Sequence, residues 1–173
     1  MPDRRNALLI MIPWLALIGL VIALDQVTKS WALAQPILVH GERIEVTFFF
    51  DLVLAFNRGA AFSFLAEHTG WQRWFFIALA LGVSVWLLGL IWQHRRERLL
   101  PFAFSFIIGG ALGNVIDRFN LGKVVDFLSF HAGPYYWPAF NLADSAIVLG
   151  VGLMLVGHFR IRKNTSAPPE NPT

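Results

Sequence analysis

The chain has 173 residues, of which 56% are apolar and only 14% are charged, whereas roughly 25% of residues are charged in ordinary soluble domains. This composition excludes a soluble globular domain and indicates an integral membrane protein. The absence of cysteine excludes disulfides, a cysteine nucleophile and a thiolate metal site. The net charge of +3 matters less than the places of the cations, because Lys and Arg near helix ends set the orientation of membrane helices.

Four long uncharged runs approach the ~20 residues that a helix needs to cross a bilayer. Three cover residues 6–24, 74–93 and 99–116, and the fourth, bounded by Asp144 and Arg160, needs residues from Asn141 onward to span. Lipid offers the backbone no hydrogen-bond partner, so we expect helices, and the alternating pattern of a barrel is absent from these runs. The sequence predicts an all-α membrane bundle over residues 1–163 and a disordered cytoplasmic tail over residues 164–173.

The first run also has the charged start and apolar middle of a cleavable secretory signal, and Ala-Leu-Ala at residues 32–34 imitates a cleavage site. The run is longer than the apolar part of such signals, which has about 7–15 residues. In addition, Asp25 and Lys29 separate it from the small residues. We therefore expect the first span to be retained.

The cations indicate how the bundle is oriented. Eight of the fourteen lie in short segments on one side of the predicted spans: Arg4, Arg5, Arg95, Arg96, Arg98, Arg160, Arg162 and Lys163. The other six are scattered through two longer loops. The excess of Lys and Arg in cytoplasmic segments therefore predicts that both termini and the short turn after the second span are cytoplasmic. Residues of about 25–73 and 118–140 are then outside.

The first outer loop carries a pattern typical of strands. The stretch ERIEVTF alternates polar and apolar residues, FFFDLVLAF continues with β-favouring types, and NRGAAFSFL has the composition of a turn. We expect a small strand pair here. Its many aromatic residues form either an interfacial belt with Trp71 and Trp74 or a surface on the bilayer that holds a lipid or an apolar segment. These residues are Phe48, Phe49, Phe50, Phe56, Phe62 and Phe64.

Charged side chains at the ends of membrane spans are costly and indicate function by default. Asp25 and Lys29, spaced i, i+4 at the end of the first span, lie on one helix face. They form either an ion pair or a helix-end anchor in which Lys29 reaches the headgroups. At the end of the third span, Asn114, Asp117 and Arg118 can share a face, beyond three glycines that permit close helix packing. We expect Asp117 and Arg118 to neutralise each other and Asn114 to reach a site.

Two further carboxylates are less easily explained. Asn141 and Asp144 are spaced i, i+3 at a helix start marked by Pro138, and the helix dipole favours an acid in the first turn. Asp126 is flanked by Val and Phe, where a solvated loop acid would have polar neighbours. Two neighbouring carboxyl groups at a low-dielectric edge cannot both ionise easily, so one keeps its proton while the other loses it. The ionised group could then activate water while the protonated group donates a proton. A gap of 18 residues fits many folds. From spacing alone, a catalytic acid pair is therefore only one of several interpretations.

Other chemistries find little support. The serines have no histidine at a telling spacing, and His131 stands alone in a predicted loop. No pattern for zinc or phosphate binding is present, and the basic residues form an inner-face set and not a nucleic-acid patch. We expect no metal, cofactor or nucleic-acid partner. A transport or proton-relay protein and a non-catalytic packing subunit remain alternatives, although acids in mid-span would be expected for a proton relay.

Five sequence blocks, in the order DQVTK, FNRGAAFS, GGALGNVIDR, VVDF and FNLAD, resemble those of the bacterial lipoprotein signal peptidases, also called signal peptidase II or prolipoprotein signal peptidase. The match extends over about residues 25–147. The resemblance implies a four-helix aspartyl protease of the bacterial inner membrane, with its active site at the outer, periplasmic face. Such an enzyme cuts the signal peptide from diacylglyceryl-modified prolipoproteins before the lipidated cysteine. The implied partners are that signal peptide and membrane lipids, and we expect a monomer.

The resemblance also implies roles for residues. It makes Asp126 and Asp144 the catalytic pair and gives the outer loop a purpose, as a clamp on the substrate. It implies a bracing role for Asp117, with Arg118 as the expected partner. The implied substrate-binding or site-bracing residues are Asp25, Lys29, Asn57, Gly59, Asn114, Asp117, Arg118 and Asn141.

Overall fold

The computed structural model describes residues 4–59 and 70–165, with side chains described for residues 8–59 and 70–157. Its elements in chain order are α1 (Arg4–Leu33), α2 (Pro36–Val39), β1 (Ile44–Thr47), β2 (Phe50–Asn57), α3 (Trp71–Gln93), α4 (Leu99–Leu121), β3 (Val124–Ala132), β4 (Tyr135–Tyr136) and α5 (Leu142–Thr165). Two parts of the sequence predictions, Phe62 with Phe64 and the tail from residue 166, lie outside the described residues. Residues 164 and 165, predicted to begin the tail, continue α5.

Within the described part of the chain, three helical stretches are long and apolar enough to cross a membrane. They are Leu8–Leu33, Trp71–Gln93 and Leu99–Leu121, while α5 contributes the shorter apolar stretch Leu142–Gly157. The first and third continue beyond their predicted ends at residues 24 and 116. The reason is that the polar residues in these extensions, such as Lys29 and Asp117, pair with one another inside the protein, so the helices continue past the first charge.

Helix α4 is central, because α1, α3 and α5 all pack against it. Glycines on α4 permit two of these approaches: Gly109 faces Val21 of α1, and Gly110 faces the backbone of Ala143 in α5. Small residues at helix contacts let backbones come close, as is usual in membrane bundles. The main apolar core consists of Met11, Ile18, Leu87, Ile91, Phe104, Ile107 and Ile108. The contact between α4 and α5 matters most for the site, since Ala143 precedes Asp144.

Replacing Gly110 with alanine should destabilise the protein by about 1–3 kcal/mol, the usual cost of overpacking a tight contact. A β-carbon there would overlap the carbonyl oxygen of Ala143 and push α5 away from α4. Gly82→Ala is the matched control, because a β-carbon at Gly82 meets nothing within 4 Å. Thermal unfolding in detergent micelles measures the difference. Equal melting temperatures for the two variants would contradict this tight contact.

The sheet is antiparallel with strand order β1-β2-β3-β4. The predicted strand pair in the first outer loop is confirmed as β1 and β2. The other two strands were not predicted: β3 contains Asp126, and Tyr135–Tyr136 form β4 within the segment of about residues 118–140, for which no strand was expected. The first four residues of β3 are buried, so the alternation that reveals a half-exposed strand is missing there. Ala55 of β2 lies opposite Asp126, beside an irregularity in the pairing.

The prediction that His131 is a solitary loop residue is wrong. His131 belongs to β3, its ring stacks on Tyr136 of β4, and its Nε2 lies 3.5 Å from Asp51 Oδ2. Arg43, just before β1, approaches the same carboxylate at 3.5 Å and donates a hydrogen bond to the Tyr136 hydroxyl. The Tyr136 hydroxyl and the Asp51 carboxylate together raise the pKa of Arg43, so its guanidinium stays charged. This cluster therefore connects all four strands away from the pocket described below.

Candidate active site

A pocket of about 1210 Å³ opens where β2, β3 and the segment after β4 meet α4 and α5. Six predicted site residues line it: Asn57, Gly59, Asn114, Arg118, Asp126 and Asp144. The other four predicted site residues, Asp25, Lys29, Asp117 and Asn141, are buried and are not part of the described lining. The structure thus brings the ten residues together as two groups, one facing the pocket and one behind it.

The two carboxyl groups of the predicted pair are connected through Asn141. Its side-chain Nδ2 donates to Asp126 Oδ1 at 2.7 Å, and its backbone N–H donates to Asp144 Oδ2 at 3.3 Å. Asp126 comes from the buried start of β3 and Asp144 from the first turn of α5. Two acids from distant parts of the chain therefore share one neighbour at the wall of one pocket.

The start of α5 positions Asp144 by local hydrogen bonds. Asn141 precedes the helix, and its Oδ1 accepts the backbone N–H of Asp144 at 2.9 Å. Asp144 returns this contact by accepting the backbone N–H of Asn141, so the two residues cap the helix start reciprocally. Ser145, on the pocket wall, donates from its hydroxyl to Asn141 O at 3.0 Å. The predicted i, i+3 relation thus fixes the Asp144 side chain relative to the helix start.

Asn114 holds Asp144 from the other side. Its Nδ2 donates to Asp144 Oδ1 at 2.8 Å, while its Oδ1 accepts from Lys29 Nζ at 2.9 Å and from Asn141 Nδ2 at 3.2 Å. Because a lysine ammonium only donates, it requires the oxygen of the Asn114 amide to face it. The nitrogen is therefore directed to Asp144. Asn114 thus lines the pocket and contacts Asp144 there.

Lys29 is an internal residue, 2% exposed, and not a headgroup anchor. Its Nζ lies 2.8 Å from Asp25 Oδ2 and 2.8 Å from Asp117 Oδ2, in addition to the contact with Asn114. The predicted ion pair between Asp25 and Lys29 is confirmed, and the anchor alternative is wrong. Asp25 Oδ1 also accepts the backbone N–H of Ala143 at 3.0 Å, so α1 holds the start of α5 directly.

The predicted pairing of Asp117 with Arg118 is wrong. Asp117 faces Lys29 and the backbone N–H of Val125, whereas Arg118 Nη2 donates to Gly59 O at 3.0 Å. The guanidinium of Arg118 also lies 5.1 Å from the centre of the Phe76 ring. Consecutive helix residues do not face each other, so the two side chains reach different neighbours. Arg118 thereby attaches the backbone after β2 to the pocket wall.

Burial and the nearby charge of Asp144 raise the pKa of Asp126 to about 7. Hydrogen bonds from Asn141 and Asn57 and the charge of Lys29 act in the opposite direction but do not outweigh the burial. Burial beside a second acid therefore favours the protonated form of this carboxyl group. No group of three or more potential metal ligands occurs among the described residues.

The fold and the site define a class: an integral membrane protein whose buried polar site, containing two acids, lies where a helical bundle meets a small sheet. Residues 17–160 match the family described as signal peptidase (SPase) II. The chain is 62% identical to the lipoprotein signal peptidase of Azoarcus sp. (strain BH72) over all of both chains. It is 47% identical to that of Janthinobacterium sp. (strain Marseille), over 87% of this chain and 90% of the relative.

Solved structures agree with these sequence relatives. A bacterial membrane enzyme determined by the in meso method at 2.3 Å resolution superposes with a TM-score of 0.74 and 29% identity, over 93% of this chain and 94% of the other. A second, at 1.9 Å, gives 0.73 and 28%, over 84% and 91%. The chain belongs to the signal peptidase II family, as its five sequence blocks predicted. It is thus a peptidase, and the family and the apolar helices indicate the bacterial inner membrane.

Proposed function

We propose that this chain is an aspartic endopeptidase that removes the signal peptide from diacylglyceryl-modified prolipoproteins, cutting before the lipidated cysteine. The relatives named lipoprotein signal peptidase support the substrate class. One observation carries the chemistry: Asp126 and Asp144 line the same pocket and are both hydrogen-bonded to Asn141. Such a pair can activate water with one acid and protonate with the other, so it needs neither cofactor nor metal.

The surroundings of the two acids support different roles. Asp144 accepts N–H groups on both oxygens and lies in the first turn of α5, where the helix dipole favours negative charge. Asp126 has a raised pKa of about 7 because it is buried beside that charge. In this mechanism Asp144 is the base and Asp126 is the acid. Because the two interact, their titration belongs to the pair as a whole.

The proposed reaction begins with a water between the two carboxyl groups. Asp144 takes a proton from this water as its oxygen attacks the scissile carbonyl carbon, and Asp126 gives its proton to the carbonyl oxygen. Collapse of the resulting diol breaks the C–N bond as Asp144 gives the water-derived proton to the leaving nitrogen and Asp126 takes the proton of one diol hydroxyl. The products are a carboxyl group and a free amine, and both acids are back in their starting states.

The remaining pocket residues have supporting roles in this proposal. Asn57 donates a hydrogen bond to Asp126, and Arg118 holds Gly59 O, so both keep the end of β2 close to the acids. The groups behind the pocket, formed by Asp25, Lys29 and Asp117, brace α1, α4, β3 and α5. Exposed aromatic residues next to the strands, such as Phe48 and Trp137, would then lie at the bilayer surface beside the substrate.

We also propose the orientation in the membrane. The turn that contains Arg95, Arg96 and Arg98 joins α3 to α4, and the sheet follows the opposite end of α4. A cytoplasmic turn therefore implies an outer, periplasmic sheet and active site. With α5 as the fourth span, both termini are cytoplasmic, and the protein works as a monomer. Reaction of single cysteines introduced at Arg96 and at Tyr135 with an impermeant thiol reagent tests this, since only Tyr135→Cys should be labelled in intact spheroplasts.

The direct test of the proposed function is cleavage of a synthetic lipid-modified prolipoprotein peptide by the purified protein in detergent or liposomes. Mass spectrometry of the products should show one cut, immediately before the cysteine that carries the diacylglyceryl group. The same peptide without the lipid is the control and should be cut much more slowly. Equal cleavage of both peptides, or a cut elsewhere, would contradict the proposed specificity.

The pH dependence of cleavage should show an alkaline limb near pH 7. As pH rises through the raised pKa of Asp126, its carboxyl group loses the proton that the acid must donate, so kcat/KM should fall by about tenfold per pH unit. The measurement is kcat/KM between pH 5 and 9, which reports groups of the free enzyme. A constant kcat/KM over this range would exclude Asp126 as the acid.

Replacing Asn57 with alanine should move this alkaline limb to higher pH. The hydrogen bond from Asn57 lowers the pKa of Asp126, so its removal raises that pKa. Asn120→Ala, the same change at an exposed position of α4, is the matched control and should leave the limb in place. Identical profiles for the two variants would show that Asn57 does not influence the acid.

A further inference from the structure

Gln26 is a polar residue of α1 that the pocket does not include and the sequence predictions did not single out. It lies between Asp25 and Lys29 and is partly buried. Its Nε2 donates to Asp117 Oδ1 at 2.9 Å and lies 3.2 Å from Gly113 O and 3.3 Å from Asp25 Oδ2. Three acceptors around one amide nitrogen fix its orientation, because the amide oxygen would be repelled by all three.

The carboxyl group of Asp117 has its two oxygens occupied from different sides. Oδ1 accepts from Gln26, and Oδ2 accepts from Lys29 Nζ at 2.8 Å and from the backbone N–H of Val125 at 3.1 Å. The terminal torsion of an aspartate side chain is intrinsically broad, so partners on both oxygens are needed to hold it at one angle. Gln26 is the donor on Oδ1, and it therefore aims Oδ2 at the start of β3.

The start of β3 carries Asp126. The peptide groups of Val125 are held at both ends, since its N–H donates to Asp117 and its carbonyl oxygen accepts from Asn141 Nδ2 at 3.3 Å. The same Nδ2 donates to Asp126 Oδ1. A change in the angle of the Asp117 carboxyl group would thus shift the residue directly before Asp126 relative to Asn141.

The two buried carboxyl groups next to Gln26 also favour a hydrogen-bond donor at this position. Two carboxyl groups, those of Asp25 and Asp117, share the single ammonium of Lys29, and they are 0% and 4% exposed. Buried carboxylates need hydrogen bonds beyond the ion pair to offset the loss of water. The neutral donors that supply them are the backbone N–H groups of Ala143 and Val125 and the side-chain amide of Gln26.

We propose that Gln26 is a positioning residue for peptide cleavage, which acts through Asp117 and Val125 to set the place of Asp126 opposite Asp144. It is not part of the described pocket lining, and its effect depends on the aspartate pair of the proposed function. Gln26→Met, which keeps the length and removes the donor, should lower kcat about tenfold and change KM less than twofold. Exchange of the Val125 amide hydrogen with deuterium should become faster.

The matched control is Gln35→Met, because Gln35 is a partly exposed glutamine after the end of α1 whose amide donates a hydrogen bond to Trp31 O in its own preceding turn. This variant should keep the wild-type kcat and deuterium exchange. A role limited to stability would lower the melting temperature of Gln26→Met without changing kcat per folded molecule or exchange at Val125. That result would overturn the proposal.

An exchange of donor and acceptor makes the test specific for the contact. Gln26→Glu places two acceptors face to face and should lower kcat at least as much as Gln26→Met. Adding Asp117→Asn to Gln26→Glu restores one donor and one acceptor at the same total charge, and kcat should rise about fivefold above the Gln26→Glu variant. A double variant no more active than Gln26→Glu would contradict action through Asp117.

Failure of this proposal differs from failure of the proposed function. If the aspartate pair is not catalytic, Asp126→Asn and Asp144→Asn will still cleave the lipid-modified peptide, whatever Gln26→Met does. If the pair is catalytic and Gln26 does not position it, the aspartate variants will be inactive while Gln26→Met retains the wild-type kcat.

Discussion

Asparagine in place of either Asp126 or Asp144 should reduce kcat for cleavage of the lipid-modified peptide by about a thousandfold or more. Asparagine has nearly the same shape, and its oxygen can still accept the hydrogen bonds from Asn141 and Asn114. It cannot exchange a proton, which is worth about 10²–10⁴ in rate for each catalytic acid or base. The measurement is single-turnover cleavage followed by chromatography, with enzyme in excess so that slow variants remain visible.

The matched control for these two variants is Asp51→Asn. Asp51 is a buried acid of the same sheet, 1% exposed, but it contacts Arg43 and His131 and not the pocket. This variant should keep kcat within about twofold, which separates loss of a catalytic acid from loss of any buried acid. The variant with both Asp126→Asn and Asp144→Asn should be no less active than either single variant, because groups that act as a unit are not additive. Cleavage retained by Asp126→Asn or Asp144→Asn would exclude the pair.

The apolar spans could be predicted because their signal is local. An uncharged run of about 20 residues has few alternatives to a membrane helix, and the structure places helices at all four runs, three of which are long and apolar enough to cross a membrane. Strand β3 could not be predicted in this way. Its residues 124–127 are buried on both sides, and continuous burial removes the alternation by which β1 was recognised. The element that carries Asp126 therefore had no alternating pattern to reveal it.

The partners of the polar residues differ in the same way: some could be predicted from local spacing, and others depend on how distant helices pack. Asp25 and Lys29 are one helical turn apart, and their ion pair was predicted from spacing. Asp117 lies 2.8 Å from Lys29 in the folded chain, although 88 positions separate them in the sequence. Adjacency in sequence instead suggested Arg118, which helix geometry directs elsewhere. A sequence shows which charges need partners, and only the packing of α1 on α4 shows which partners they have.

The pairing of Asp126 with Asp144 could be predicted only in part from the sequence. The chemical types and the polar start of α5 made both acids candidates, but the spacing left their meeting open. What brings them together is Asn141, which contacts Asp126 through its side chain and Asp144 through its backbone. Asn141 is 0% exposed and makes no contribution to the pocket lining among the described residues. The resemblance implied that Asn141 is a site residue, but its local sequence did not indicate that it contacts both acids.

Replacing Lys29 with methionine should destabilise the protein more than replacing Gly110 with alanine. Methionine fills a similar volume, so the packing of the stem is largely kept, but the ammonium between Asp25 and Asp117 is removed. Removing one partner of a buried ion pair leaves an uncompensated charge and costs about 3–5 kcal/mol. Lys123→Met is the control, since Lys123 is not fully buried and lies over the Phe56 ring. Thermal unfolding in the same detergent gives both values.

The Lys29→Met variant should also lose activity beyond its loss of folded protein. Lys29 keeps the Asn114 oxygen turned inward, and without it the amide can rotate and withdraw its N–H from Asp144. We expect kcat per folded molecule to fall at least tenfold. If kcat per folded molecule equals that of the wild type, the orientation of Asn114 does not depend on Lys29.

Neutralising the two acids distinguishes charge from packing as the origin of this cost. In the Lys29→Met background, Asp25→Asn and Asp117→Asn together remove both buried carboxylates while keeping acceptors for the backbone N–H groups of Ala143 and Val125. If unpaired charge is the main cost, the triple variant should recover most of the melting temperature, because an apolar or neutral set can replace a buried ion pair at little cost. Activity should recover less, since an amide at position 117 can face Val125 with its nitrogen. A triple variant as unstable as Lys29→Met would mean that the shape of the lysine side chain, and not its charge, holds α1 to α4.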